Sequence, residues 1–182
     1  MPRATKSNAR TPKDAIALLK ADHREVEGWF AEFEKARSDG RKAELAAKIC
    51  TALKVHTQIE EEIFYPAFLE EVAERDLHHE AIVEHDGAKQ LIAQIEASSP
   101  RDEFFAAKVT VLGEMIKHHV KEEEQRGGMF AEAKQSRLDL KALGQLLAQR
   151  KAELMSKGGR LKGSSARPRA KAPSRSAAGA RA

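Results

Sequence analysis

The sequence predicts an all-α protein: an up-down-up-down four-helix bundle with an extra C-terminal helix and disordered basic ends. Ala, Leu, Glu, Lys and Arg fill long stretches of the chain, a composition typical of helices. Within these stretches apolar residues recur at steps of three and four, which indicates amphipathic helices. Short connections between four long helices favour an antiparallel bundle, and no stretch shows the alternation of a strand.

Charge is divided unevenly along the 182 residues. Residues 1–13 carry four basic groups and residues 156–182 carry eight, and neither segment has an acidic residue. The body between them holds 20 basic and 28 acidic residues, a net charge of −8. The composition of residues 1–10 and 156–182 predicts disorder. The basic tail could contact nucleic acid, but it lacks aromatic residues that stack on bases, so we favour a solubilising role.

Cys50 is the only cysteine, so the chain cannot form an internal disulfide. This is typical of a protein in a reducing compartment. The chain has no run of 18 apolar residues and no signal-peptide core. We therefore expect a cytoplasmic protein that does not contact a membrane.

The first predicted helix begins with Thr11 as its N-cap and ends at Ser38. Its apolar stripe has one polar member, and consists of Ile16, Leu19, His23, Val26, Phe30 and Phe33. The second helix is expected from about Arg41 to Tyr65, where Pro66 should kink or end it, with a short continuation through residue 72. Its stripe contains Ile49, Leu53, His56, Glu60 and Ile63.

The third helix is expected from about Asp76 to Ala97, with the stripe His78, Ile82, His85, Ala88, Ile92 and Ile95. Residues 98–102 then repeat the start signal and predict a fourth helix that ends at Gly127. Its stripe is Phe105, Val109, Leu112, Ile116, His119 and Glu123. A short helical turn is expected at 129–135. A fifth amphipathic helix is expected at 138–155, with Leu140, Leu143, Leu147 and Leu154 on its apolar face.

Each of the four long helices carries one histidine in its apolar stripe: His23, His56, His85 and His119. Glu60 and Glu123 each follow one of them by four residues, which places each pair on one face of its helix. A lone histidine in such a stripe is more often a hydrogen-bonded core residue than a ligand. Four of them at comparable depths, with two carboxylates, instead predict a buried metal site, and mixed nitrogen and oxygen ligands suit iron, manganese or zinc.

One assignment has an alternative. His118 and Glu122 have the same spacing as His119 and Glu123. The line of His118 along the helix passes through Lys108, whereas the line of His119 is apolar, so we expect His119 and Glu123 to be the ligands.

The residues of this predicted site resemble those of the hemerythrin-like HHE cation-binding domain. The resemblance covers about residues 11–135 and is carried by Asp22-His23, the segment from His56 to Pro66, Glu84-His85, and the segment from His119 to Glu124 followed by Met129-Phe130. It implies a four-helix bundle around a non-haem di-iron centre, that is, two iron ions that Glu60 and Glu123 bridge together with an oxo or hydroxo group.

The chain departs from the oxygen-carrying members of that family. These have a further histidine one turn before the position of His85, where this chain has Ala81, and an aspartate in place of Glu123. Two six-coordinate irons offer about twelve positions, and the residues above with a bridging oxygen leave about two of them open. His78 could fill one of these positions.

Two kinds of function agree with such a site. The first is a redox or binding protein whose di-iron centre meets O2, peroxide or nitric oxide, and peroxide decomposition would make it an enzyme. The second is an iron- or oxygen-responsive sensor, in which metal occupancy changes the stability of the bundle and the basic tail carries the output.

Overall fold

The computed structural model describes residues 14–73 and 75–162, with side chains as far as Ser156. These residues form seven α-helices and one π-helical segment, and no strand occurs among them. In chain order they are α1 (Ala15–Lys35), α2 (Asp39–Ile59), the π-helical segment (Glu60–Phe64), α3 (Tyr65–Glu71), α4 (Asp76–Glu96), α5 (Phe105–Glu124), α6 (Met129–Gln135) and α7 (Leu140–Lys162). Helices α1, α2, α4 and α5 form the four-helix bundle, which confirms the predicted fold class.

Two helices begin later than the sequence predicts. Helix α1 starts at Ala15, because the side chain of Asp14 accepts a hydrogen bond from the backbone nitrogen of Ala17 at 2.8 Å and acts as the N-cap. The predicted cap Thr11 and the predicted disordered segment 1–10 lie outside the described residues. Helix α5 starts at Phe105. The side chain of Asp102 accepts from the backbone nitrogen of Ser99 at 2.7 Å and so closes a turn instead of capping a helix.

The second predicted helix is not one continuous α-helix. Helix α2 ends at Ile59, and in the π-helical segment the backbone nitrogen of Tyr65 bonds to the carbonyl of Glu60, five residues back. This segment ends two residues before Pro66, which cannot donate to a helical hydrogen bond, and α3 continues from Tyr65 as far as Glu71. The wider turn rotates the inward face, so Phe64 is fully buried in place of the predicted Ile63.

Helix α7 packs against α1, α2 and the π-helical segment. Leu143 and Leu147 are buried, as their stripe predicts. A Cβ atom on Gly144 would come within 2.7 Å of the backbone of Asp14 and Ala15, so this helix approaches the start of α1 very closely. The helix extends to Lys162, past the predicted boundary at Ser156, and residues 163–182 of the predicted tail lie outside the described residues.

The bundle interior contains two apolar clusters. The first core fills the end of the bundle near the connection between α1 and α2, and includes Val26, Ile49, Leu53, Ile92, Leu112 and Ile116. The second core fills the opposite end, where α7 packs, and includes Ile16, Leu19, Phe64, Phe68, Phe130 and Leu147. Buried polar residues lie between the two cores. No helix in the described part of the chain is both long and apolar enough to cross a membrane.

Candidate metal centre

The layer between the two cores contains all six residues that the sequence predicts as metal ligands. Helix α1 supplies His23, α2 supplies His56, and the π-helical segment begins with Glu60. Helix α4 supplies His85, and α5 supplies His119 and Glu123. None of the six is more than 5% exposed. Their potential ligand atoms form two sets, in each of which the atoms lie within 4.8 Å of one another, and Glu60 belongs to both.

The four imidazoles are arranged as two pairs. The Nε2 atoms of His23 and His56 are 3.1 Å apart, and those of His85 and His119 are 3.2 Å apart. Each carboxylate contacts one imidazole of each pair. The Oε2 atom of Glu60 lies 3.2 Å from Nε2 of His56 and 3.4 Å from Nε2 of His85. The Oε2 atom of Glu123 lies 3.4 Å from Nε2 of His23 and 3.7 Å from Nε2 of His119.

The donor set fits a bound cation. Both carboxylate oxygens of Glu60 and Oε2 of Glu123 are buried without a hydrogen-bond partner. Such groups are costly in a protein interior unless a cation or a proton neutralises them. Four imidazole nitrogens point at the same carboxylates, and imidazole with carboxylate is a ligand set that iron, manganese and zinc accept.

A second ring of carboxylates surrounds the imidazoles. The outer carboxylates, as we call them, face the Nδ1 atoms of the four histidines: Glu124 faces His23 at 2.8 Å, Glu61 faces His85 at 2.9 Å, Glu84 faces His119 at 2.7 Å, and Asp22 faces His56 at 3.5 Å. A carboxylate at Nδ1 holds the proton there and turns the Nε2 lone pair towards a metal.

Sequence reasoning did not identify the outer carboxylates, because they lie beside the apolar stripes and not in them. A signal was nevertheless present, since each of them directly precedes or follows a predicted ligand in the chain. Asp22 and Glu84 each come just before the histidine of their own helix, and each faces the histidine of another helix, Glu84 at hydrogen-bond distance.

Burial sets the protonation of the central groups. It lowers the pKa of His23 to about 3, with the nearby His56 adding to the effect, and it also lowers the pKa of His85. Burial raises the pKa of Glu60 to about 7 and raises the pKa of Glu123 well above its usual value. The imidazoles of His23 and His85 are therefore neutral at neutral pH, which is the form that binds metals.

Two aromatic side chains of the second core cover one side of the centre. The hydroxyl of Tyr65 donates to Oε1 of Glu123 at 3.3 Å and lies 3.3 Å from Nε2 of His85. Phe130 stacks on the ring of His23, with 5.8 Å between the centroids. Gly127 (φ 80°) and Gly128 allow the chain to turn after α5 and bring Phe130 back to the centre.

On the first-core side, a narrow apolar cavity adjoins the centre. The rings of His23, His56, His85 and His119 form one wall of this cavity, together with Asp22 and Thr57. Its other walls are the aliphatic side chains of Val26, Leu53, Ile116 and Val120. The cavity has room for no more than about one water-sized molecule, so anything held there against the imidazoles must be very small.

The alternative ligand pair lies on the surface. The side chain of His118 is 62% exposed, and it lies 3.4 Å from Glu122 and 3.3 Å from Glu84. His78, which could have filled an open metal position, packs edge-on against the ring of Tyr65 and belongs to neither buried ligand set.

The chain is similar to known proteins in sequence and in fold. The family model described as the hemerythrin HHE cation binding domain matches residues 14–127. A solved structure of a hemerythrin HHE cation-binding domain-containing protein from Mycobacterium kansasii superposes with a TM-score of 0.69 over 85% of this chain and 94% of that chain, at 21% sequence identity. That likeness concerns the fold.

A curated relative is 30% identical over 107 residues, and it is a protein of Nostoc sp. (strain PCC 7120) with the name DNA nickase. The match spans 59% of this chain and 30% of the relative's length.

Proposed function

The chain belongs to the hemerythrin HHE cation-binding domain family, and on this premise we propose that it holds a non-haem di-iron centre that binds or reacts with O2, peroxide or nitric oxide. His23 and His56 would ligate one iron, His85 and His119 the other, and Glu60 and Glu123 would bridge the two. Iron at such a site supplies the electron exchange that these small molecules require.

One observation carries this proposal: two buried imidazole pairs share the same two carboxylates. Glu60 contacts one imidazole of each pair through Oε2, and Glu123 does the same. A single ion would not require two separate pairs of Nε2 atoms. Two ions with bridging carboxylates match the pattern that helix bundles use for di-metal sites.

The protein would contribute orientation and exclusion of water. Glu124, Glu61 and Glu84 would fix the tautomers of His23, His85 and His119 by hydrogen bonds at Nδ1, so that Nε2 faces the centre. Tyr65 holds Glu123 by a hydrogen bond. Its hydroxyl also lies beside Nε2 of His85, where it could donate a proton to a bound ligand. The aliphatic cavity beside the imidazoles favours a small, weakly polar ligand over a large or strongly charged one.

The test is elemental analysis and optical spectroscopy of the protein after iron-replete expression, followed by peroxide addition. We expect about two irons per chain. We also expect that the optical spectrum of the bound iron changes with O2, peroxide or nitric oxide. One metal per chain, or stoichiometric zinc, would remove the di-iron proposal.

A second candidate is a sensor without turnover. All four helices of the bundle place a histidine in the same buried layer, so occupancy of the layer would join them and add directly to the stability of the bundle. Loss of helical structure on iron removal, with no consumption of peroxide, would favour the sensor. Rapid peroxide consumption with iron retained would favour the redox protein.

A further inference from the structure

We propose that Glu84, His118 and Glu122 form a surface loading site for a divalent metal cation, from which the cation passes along a narrow cleft to the buried centre. The inference rests on the proposed metal centre, since it assigns the place where the ions of that centre arrive. It also gives a role to His118 and Glu122, which have the same spacing as His119 and Glu123 and lie next to them on α5.

The three side chains form a site for a cation at the surface. Nε2 of His118 lies 3.3 Å from Oε1 of Glu84 and 3.4 Å from Oε1 of Glu122, and the three ligand atoms lie within 4.8 Å of one another. The carboxylates are 23% and 33% exposed and the imidazole is 62% exposed, so a bound ion would keep part of its water shell. His79 and Glu80 line the same depression and add one more carboxylate and one more imidazole.

Charge distinguishes this part of the surface from the surroundings of the other three outer carboxylates. Asp22 is paired with Lys151 at 2.5 Å, and Glu61 with Lys89 at 2.6 Å. Glu124 is paired with both Lys20 and Arg24. In the described part of the chain, the partners of Glu84 are the two imidazoles of His118 and His119, and no lysine or arginine lies within ion-pair distance of it. A dication would meet a neutralised carboxylate at Asp22 and Glu61, a net positive charge at Glu124, and a carboxylate without a basic partner at Glu84, so Glu84 attracts it most strongly.

A very narrow cleft, with room for about one water molecule, lies between this surface site and the centre. Its lining includes the partly exposed Glu84 and Glu122 and the buried His119 and Glu123, together with Leu77, Ala81 and Met129. Glu123 is 2% exposed, and its Oε2 atom has no hydrogen-bond partner.

Glu84 links the two ends of this route. Its Oε1 atom faces His118 at the surface, and its Oε2 atom lies 2.7 Å from Nδ1 of the buried His119. A dication that enters through the aliphatic first core would lose its water shell without any replacement, at a cost of many kcal/mol. Along the cleft, carboxylate and imidazole groups can replace water molecules one after another.

The test measures the rate of iron uptake by the metal-free full-length protein. Anaerobic stopped-flow mixing with Fe2+ compares the wild type with the double variant H118A/E122Q, followed by elemental analysis after long incubation. The control variant is E114Q, which removes one carboxylate from α5 on the side that faces α1. The positioning residue Glu84 is left intact, because it also holds His119.

We expect H118A/E122Q to take up iron about tenfold or more slowly, while its final iron content equals that of the wild type. E114Q should load at the wild-type rate. Equal rates in all three proteins would overturn the loading site. A lower final iron content in H118A/E122Q would also overturn it, because those residues would then belong to the centre. A wild-type protein that takes up no iron would instead refute the proposed function, and the loading site with it.

Discussion

At the scale of single residues, the centre is dominated by two carboxylates that are buried and poorly satisfied. Glu60 is fully buried and Glu123 nearly so, and three of their four oxygens have no hydrogen-bond partner. Only the fourth oxygen, Oε1 of Glu123, accepts a bond, from Tyr65. Either protons or metal ions must neutralise these carboxylates. Metal binding at this site is therefore coupled to the release of protons.

We expect E60A and E123A to lose most of the bound iron. E61A and E124A should lose less, because those carboxylates reach the centre only through the Nδ1 atoms of His85 and His23, and outer partners of this kind typically change metal affinity by about 10–100-fold. The exposed Glu62, next in the chain to Glu61, provides the control E62A. Iron content after desalting is the measurement. Equal losses of iron in E60A, E123A, E61A and E124A would contradict the bridging role of Glu60 and Glu123.

Metal binding should release protons in a pH-dependent way. Glu60 has a pKa of about 7 and the pKa of Glu123 is also raised, so both are largely protonated at pH 6 in the metal-free protein. Ligation requires the carboxylate form, and the proton of Glu60 must therefore leave at pH 6 but is already absent at pH 9. His23, with its pKa near 3, contributes no proton at either pH.

Calorimetric titrations in buffers of different ionisation enthalpy count these protons. We expect more protons released per chain at pH 6 than at pH 9, and a weaker apparent affinity at the lower pH. A proton count that stays the same between the two pH values would show that Glu60 does not titrate in this range.

The six central residues could be predicted because each interrupts an apolar stripe, a pattern that a helix imposes on the sequence. The outer carboxylates could not be found in this way. Glu61 and Glu124 belong to runs of three glutamates, and the sequence does not show which member of a run reaches a histidine on another helix. The pairing depends on how α1, α2, α4 and α5 sit beside one another.

At the scale of elements, two local irregularities shape the centre. The π-helical segment starts at Glu60 and directs Phe64 and Tyr65 inwards. The turn after α5 returns Phe130 to the ring of His23. The position of Pro66 predicted an interruption of the helix, but not a π-helical turn, since a kink or a helix end would also have accommodated the missing donor.

We expect G128A to destabilise the protein and to loosen the contact between Phe130 and His23. An added Cβ atom would lie 2.1 Å from the carbonyl oxygen of Glu122 and 2.9 Å from that of Glu123, so the end of α5 or the turn must shift. Thermal unfolding and iron retention measure the effect, with an expected loss of roughly 2 kcal/mol or more.

The matched control is G28A, in the middle of α1. A Cβ atom there meets nothing within 4 Å, and alanine should stabilise the helix by about 0.5–1 kcal/mol. If G128A unfolded at the same temperature as the wild type, the close approach of the turn to α5 would not matter for stability.

At the scale of the whole molecule, the fold class could be predicted because four apolar stripes with short connections leave few other ways to bury them. The role of α7 could be anticipated only in part. Its leucine face predicted packing, and Leu143 and Leu147 are buried in the second core. The sequence did not reveal that α7 also reaches an outer carboxylate of the centre, since Lys151 bonds to Asp22, or that Arg150 bonds to the exposed Glu62 outside the centre.

Two C-terminal truncations separate these contributions. A chain that ends at Lys162 keeps all of α7 and every described contact of the centre, so it should retain its iron and its unfolding temperature. A chain that ends at Arg137 loses Leu143 and Leu147 from the second core, and it also loses the cation that pairs with Asp22. We expect the shorter chain to unfold about 5 °C or more below the longer one and to bind iron more weakly.

The variant K151A in the full-length chain distinguishes packing from electrostatics. It removes the cation that pairs with the buried Asp22 and leaves the leucines in place, so it should weaken iron binding but lower the unfolding temperature of the metal-free protein less than the truncation at Arg137 does. Iron loss from the chain that ends at Lys162 would mean that residues 163–182 contact the centre. Iron retention in both truncations, with equal unfolding temperatures, would mean that α7 is an appendage and not part of the structure that supports the metal site.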